Sequence, residues 1–225
     1  MGHSVSELWK TLWNMENTEK EYAFKINGVA YYKDKIVEHN ADDALFEDFG
    51  IGNAYIASLK LGVYADDIPK GAKIERFVRL VNGDQVSEWI PKGVFYANRR
   101  ADDDGFWTVE ALDGMRKAEI VWEPRQTLNF PLSMKAAVNE FARIMGVSVD
   151  DRTEINEAYT IDYPANDYTI RSILQFIAAA NGGNFIMTDE GKLRLVPLLS
   201  APEETSNLVT ERGAVILIGG VAISV

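Results

Sequence analysis

The chain has 225 residues, with 34 Asp and Glu against 23 Lys and Arg, a net charge of −11, and 47% hydrophobic residues. That describes a folded chain with room for a sizeable core, one large domain or two small ones. The charge argues against an extended basic face for nucleic acid and against docking on anionic lipid. The lack of cysteine excludes disulfides, zinc–thiolate and iron–sulfur centres and Cys nucleophiles. No window approaches the ~18 apolar residues that span a bilayer, and the opening residues lack the basic start and apolar run of a signal peptide.

Residues 5–15 place Val5, Leu8, Trp9, Leu12 and Trp13 at helical spacing behind a Ser4 or Ser6 cap. This arm, residues 1–18, must dock its aromatic face on its own chain or a neighbour's, so Leu8, Trp9, Leu12 and Trp13 are candidate interface residues. From Glu19 to Glu123 the period changes to two. Tyr22–Ile26 and Val29–Tyr32 flank Asn27-Gly28, the pair that supplies the positive φ angles of a type I′ hairpin turn. The spacing then predicts a long strand over Tyr55–Tyr64, punctuation at Ile68–Gly71, and strands over Ile74–Val81 and Val86–Ile90. Val94–Arg100 and Phe106–Leu112 form a hairpin around Asp102-Asp103-Asp104-Gly105. Between Asp34 and Asn53 the pattern reads as a loop pinned by Phe46 and Phe49. Short strands at regular spacing with turn residues between them predict an antiparallel barrel or sandwich over residues 19–123.

A smaller α+β region follows over residues 124–200. Ser133 caps a helix over Met134–Met145 that stops at Gly146, and extended chain runs over Val147–Tyr163. Thr169 caps a second helix with Ile170, Ile173, Leu174 and Ile177 on one face. It ends at Asn181-Gly182-Gly183, before a closing hairpin of Phe185–Met187 and Leu193–Val196. Residues 201–207 are polar linker, and Leu208–Val225 starts new β structure that the chain does not finish.

Reactive motifs are scarce. The carboxylate doublets (Asp42-Asp43, Glu47-Asp48, Asp66-Asp67, Asp150-Asp151) have adjacent members on opposite faces of any strand, and none follows a calcium-loop spacing. They read as solvated turns. His39 is the one histidine away from the chain start, which makes His-dependent triads and zinc hydrolase sites poor fits, and it reads as solvated or capping. Gly50-Ile51-Gly52 precedes a strand and Gly182-Gly183 follows a helix, so neither is a phosphate-binding loop. The expected catalytic, cofactor and metal residues are none. Five tryptophans leave an adhesion surface for sugars as a distant reading.

The blocks Val78–Arg100, Phe106–Met115, Met115–Pro124 and Tyr168–Leu198, with the tail Glu204–Val225, together resemble prophage tail proteins of the baseplate-hub class. The resemblance covers nearly the whole chain. It implies a subunit with two tail-tube-like β-barrels around an α+β region, so that three subunits present six barrels to a six-fold tube. Residues 19–123 would be the first barrel, 124–200 the intervening region, and 201–225 a linker with the first strands of a second, incomplete barrel. The implied fold class is α+β, mainly β. The implied function is a structural, non-catalytic ring in the injection machine, joining tail tube to spike or fibres. Its partners would be other copies of itself in a homotrimer, the tail tube, spike or fibre, and tape-measure proteins, located in the virion tail. No sequence-specific nucleic acid, membrane insertion or cofactor is expected. An acidic ring interior would keep passing DNA from sticking. The rival reading is a tail-associated cell-wall glycan hydrolase using a carboxylate pair.

Overall fold

The computed structural model describes residues 5–42, 50–165 and 167–198, together with the backbone of two short strands at 217–218 and 221–222. The protein is α+β and mainly β. Helix α1 (Glu7–Trp13) is capped by Ser6, whose hydroxyl accepts the Trp9 N–H at 3.1 Å. Strands β1 (Glu19–Ile26) and β2 (Val29–Tyr31) meet at Asn27 and Gly28, with φ of 47° and 92°. β3 (Ile36–Asp42), β4 (Ser58–Tyr64), β5 (Lys73–Asn82), β6 (Gln85–Val86), β7 (Ile90–Asp103) and β8 (Phe106–Asp113) complete one sheet, in the order β2-β1-β5-β7-β8-β4-β3 with β6 on β5.

Every neighbouring pair on the path from β1 to β3 is antiparallel. After five such steps β3 runs antiparallel to β1, and so does β2. β2 and β3 therefore run in the same direction. The chain pairs with β1 through Tyr31, turns through 32–35, and pairs with β4 from Ile36. The sheet curls until its ends face each other, and its inner surface is filled by Phe24, Leu59, Leu61, Ile74, Phe95 and Val109, all buried. Burying each such side chain contributes about 1.5–3 kcal/mol.

Three strand expectations change. The segment before Ser58 does not continue β4. Ala54 instead bridges Phe185, with the Phe185 N–H donating to the Asn53 carbonyl at 2.8 Å and Tyr55 N–H to the Phe185 carbonyl at 3.3 Å. Residues 36–42, expected as loop, are β3. Its side chains alternate only between half-buried and exposed, which mutes the period-two signal. Phe46 and Phe49 lie outside the described residues. The strand expected over Val86–Ile90 is broken after Val86. Ser87 turns inward, its hydroxyl accepting the Leu80 N–H at 2.8 Å, and β7 starts afresh at Ile90.

Beyond β8, Asp113 caps a 3₁₀ helix (Gly114–Ala118). β9 (Leu132–Ser133) leads into α2 (Met134–Met145), with Ser133 accepting the Ala136 N–H and Gly146 ending the helix at φ 65°. β10 (Thr160–Ile161) pairs with β9. α3 (Ile170–Ala180) is capped by Thr169 and followed by the hairpin of β11 (Gly183–Met187) and β12 (Leu193–Pro197). A second core forms here around Phe141, Leu174, Ile177 and Phe185, with Trp122 edge-on to Phe141 at 5.0 Å. Ala54, Met115 and Ala118 join it from the barrel side. β13 (Leu217–Ile218) and β14 (Val221–Ala222) pair with each other. The rest of residues 201–225, where the linker and second barrel are expected, lies outside the described residues.

Candidate assembly surface

α1 lies against β5 and is fixed at both ends. At its start the Glu88 carboxylate accepts both the Ser6 N–H and the Ser6 hydroxyl at 2.7 Å, which lowers the Glu88 pKa. At its end Thr18 donates to the Leu12 carbonyl, and the Asn82 amide donates to the Glu16 carbonyl. Of the four sequence-derived interface residues, Leu12 is fully buried within the chain and Trp9 is half-buried. Leu8 is exposed, and Trp13 is 58% exposed with the Lys20 ammonium 4.8 Å above its ring. The helix thus buries Leu12, half-buries Trp9 and keeps its second tryptophan outside.

A second apolar surface was not anticipated from the sequence. Ile120, Val121, Tyr168 and Phe176 are all about half exposed. Val121 bridges Thr169, the Ile170 N–H donates to the Ile120 carbonyl, and the Tyr168 and Phe176 rings meet edge-on at 5.7 Å. The backbone contacts place these residues near one another, and the two aromatic rings form one exposed pair. Phe176 falls off the Ile170–Ile173–Leu174–Ile177 face, and that misfit was the available signal.

The curled sheet leaves a groove where its ends meet. Two adjoining shallow depressions, about 460 and 410 Å³, share Glu21, Tyr22 and Lys33. Trp89 lies at one end, covered by the Arg79 guanidinium at 4.5 Å, and Arg79 is itself paired to Glu21 at 2.7 Å. His39 lies at the other end. The sequence suggested a solvated or capping residue, and the structure leaves His39 half-buried against aromatic rings. Its ring packs at 4.2 Å on Tyr22 and 5.4 Å on Phe24. Burial, then the positive charge of Arg76, push its pKa below the ordinary value.

The buried polar groups serve structure. Asn184 is fully buried, accepting the Asn53 N–H at 2.8 Å and donating to the Gly50 carbonyl at 2.9 Å, and so ties residues 50–53 to β11. Arg171 donates to the Ala54 carbonyl at 2.7 Å and to Glu119 at 2.9 Å. Glu140 is buried and clamped by Arg125 and Arg143, which hold its pKa down. Asp113 is 5% exposed, and burial pushes its carboxyl up to about 7 against hydrogen bonds from the Ala57 and Met115 backbone. A raised carboxyl pKa suits an acid catalyst, but this group is enclosed and engaged by backbone donors. Among the described residues no group of three or more His, Asp or Glu side chains converges to hold a metal ion.

The sequence matches no family model and no curated protein. The three-dimensional arrangement does have counterparts. The 43 kDa tail protein of prophage MuSo2 from Shewanella oneidensis aligns with a TM-score of 0.52 at 12% identity, over 84% of this chain and 57% of that one. The tail protein from Neisseria meningitidis MC58 aligns with a TM-score of 0.54 at 14% identity, over 84% of this chain and 54% of that one. The fold is shared with phage tail proteins. The chain spans a little over half the length of each, and at these identities the tail-protein likeness is one of fold.

Proposed function

We propose that this chain is a structural part of a phage or prophage tail, acting in a baseplate hub ring that joins the tail tube to a spike or fibres. The reading rests on one observation: a shared fold with two tail proteins over 84% of the chain. The curled antiparallel sheet, with apolar residues exposed on α1 and α3, suits a subunit that packs against others. In this reading residues 19–123 form the tube-like barrel, 124–200 the intervening unit, and 201–225 lead into a second barrel. Three copies close a ring whose neighbours are tube, spike or fibre, and tape-measure proteins, and the chain has no catalytic role.

Antibodies raised against the protein test this on tail particles induced from the source lysogen. Immunogold should decorate the distal end of the tail tube. Light scattering on the protein should give a trimer, with three-fold rings in negative stain. Label on capsids or absent from particles, or a stable dimer without rings, overturns the proposal.

A further inference from the structure

The barrel wall is incomplete at one place. β2 pairs with β1 only over Phe24–Ile26, so among the described residues Glu19–Ala23 has no ladder partner on that side. The facing edge of β3 likewise has none, because its ladder runs only to β4. Side chains alone close this seam. The Tyr22 ring of β1 carries the Arg76 guanidinium of β5 at 5.1 Å and meets the His39 ring of β3 at 4.2 Å. His39 Nδ1 is buried and meets no hydrogen-bond partner among the described residues.

We propose that the β1–β3 seam is an acid-opened joint, in which protonation of His39 releases β3 from β1 and uncovers two strand edges. A neutral imidazole fits this place as an aromatic wedge. A protonated one adds a buried N–H with no acceptor and a second cation beside the ring that already carries Arg76, and both cost free energy. The other charges lining the groove are Glu19, Lys20 and Glu21 on β1, Lys33 and Asp34 in the turn and Arg79 on β5, while Glu38 on β3 lies over Gly62. Glu21 is engaged by Arg79 and Asp34 lines the depression at the Trp89 end, which leaves Glu19 as the carboxylate at the His39 end able to offset the new charge. The lowered pKa of His39 agrees in sign: the proton binds the open form better than the closed one. Uncovered edges of this kind pair with strands of other chains.

With only two histidines in the chain, the His39 ring proton is assigned by its loss in His39→Phe. NMR titration, with amide exchange at about pH 7.5 and about pH 5, reads the joint directly. His39 should titrate below the ordinary histidine value. After correction for intrinsic rate, protection of the Ile36–Asp42 amides should fall about threefold or more at the lower pH, within the limit of tenfold per pH unit for one proton, while β7 and β8 hold theirs. His39→Phe, which keeps a ring and cannot titrate, should show no such loss. His39 titrating at or above the ordinary histidine value, β3 protection unchanged by pH, or His39→Phe losing protection as the parent does would each overturn the proposal. If His39→Phe does not fold, β3 protection decides on the parent protein alone.

Discussion

Replacing Asp113 by Asn tests how the barrel is joined to the second unit. Asp113 ends β8, caps the 3₁₀ helix, donates its own N–H to the Ala57 carbonyl at 3.0 Å, and receives the Met115 N–H on its carboxyl at 3.0 Å. Its carboxyl titrates at about 7 because burial outweighs those donors and the charge of Arg171. The native state therefore holds this proton more tightly than the unfolded chain, whose carboxyl titrates near 3.8. Stability from this group is fully present below about pH 4 and is lost as pH rises through about 7. Between about pH 5 and about pH 8.5 the linkage predicts a loss of about 3 kcal/mol. Asn removes the titration but offers one acceptor oxygen where the carboxyl offers two, at a cost of about 1 kcal/mol. Asp113→Asn should thus be less stable than the parent by about 1 kcal/mol near pH 5, and more stable by about 2 kcal/mol near pH 8.5. Urea denaturation of both proteins at several pH values measures the difference, in which other titrating groups cancel. Parallel curves would refute the reasoning, as would a variant that falls further behind as pH rises, since that would mean the buried group is a stabilised carboxylate.

Asp150 provides the opposite sign. The Arg152 guanidinium, at 2.7 and 2.8 Å, holds its carboxyl down at about 2, so its contribution is present above about pH 4 and lost as pH falls through about 2. Arg152 is half exposed, so Asp150→Asn should cost only about 1 kcal/mol at neutral pH and blunt acid unfolding, read by circular dichroism. Gly183→Ala would place a Cβ 2.5 Å from the Val196 carbonyl oxygen across the β11–β12 hairpin, and should lower stability by about 2–3 kcal/mol in thermal melts. Gly71→Ala, strained only by its φ of 73° with nothing within 4 Å, should cost about 1 kcal/mol. Trp13→Ser with Phe176→Ser should leave thermal stability within about 0.5 kcal/mol and, on the proposed function, weaken self-association in sedimentation.

The two longer helices were legible to the residue because every signal that makes them is local. Ser133 and Thr169 cap, the apolar spacing holds for three turns, and Gly146 and Asn181 stop them. The Asn27-Gly28 turn was legible for the same reason. What sequence could not supply was the destination of an element whose partner is distant. Residues 50–57 carry strand character, but nothing in them says that Ala54 pairs with Phe185, in another sheet and more than a hundred residues away. β3 was missed because its seam edge is unpaired and its outer face is wet, so burial imposes no alternation on it. Leu12 and Trp13 look alike on a helical wheel, and only docking on β5 sends one inside and leaves the other out.

The same dependence explains why the preference of His39 and Asp113 for the uncharged state was invisible. A single histidine amid Glu38 and Asn40 reads as solvated, and an aspartate before a glycine reads as a turn. Each is buried by something remote: His39 by the curl that brings β1 alongside β3, Asp113 by residues 54–57 and by α3. Both sit at joints, one where the barrel closes and one where the second core is attached, and they respond to pH with opposite signs. Acid loosens the seam through His39, while base loosens the attachment through Asp113. A chain built this way is tightest between those limits, on the mildly acidic side of neutral, and a change of conditions in either direction acts first on its joints and last on its two packed cores.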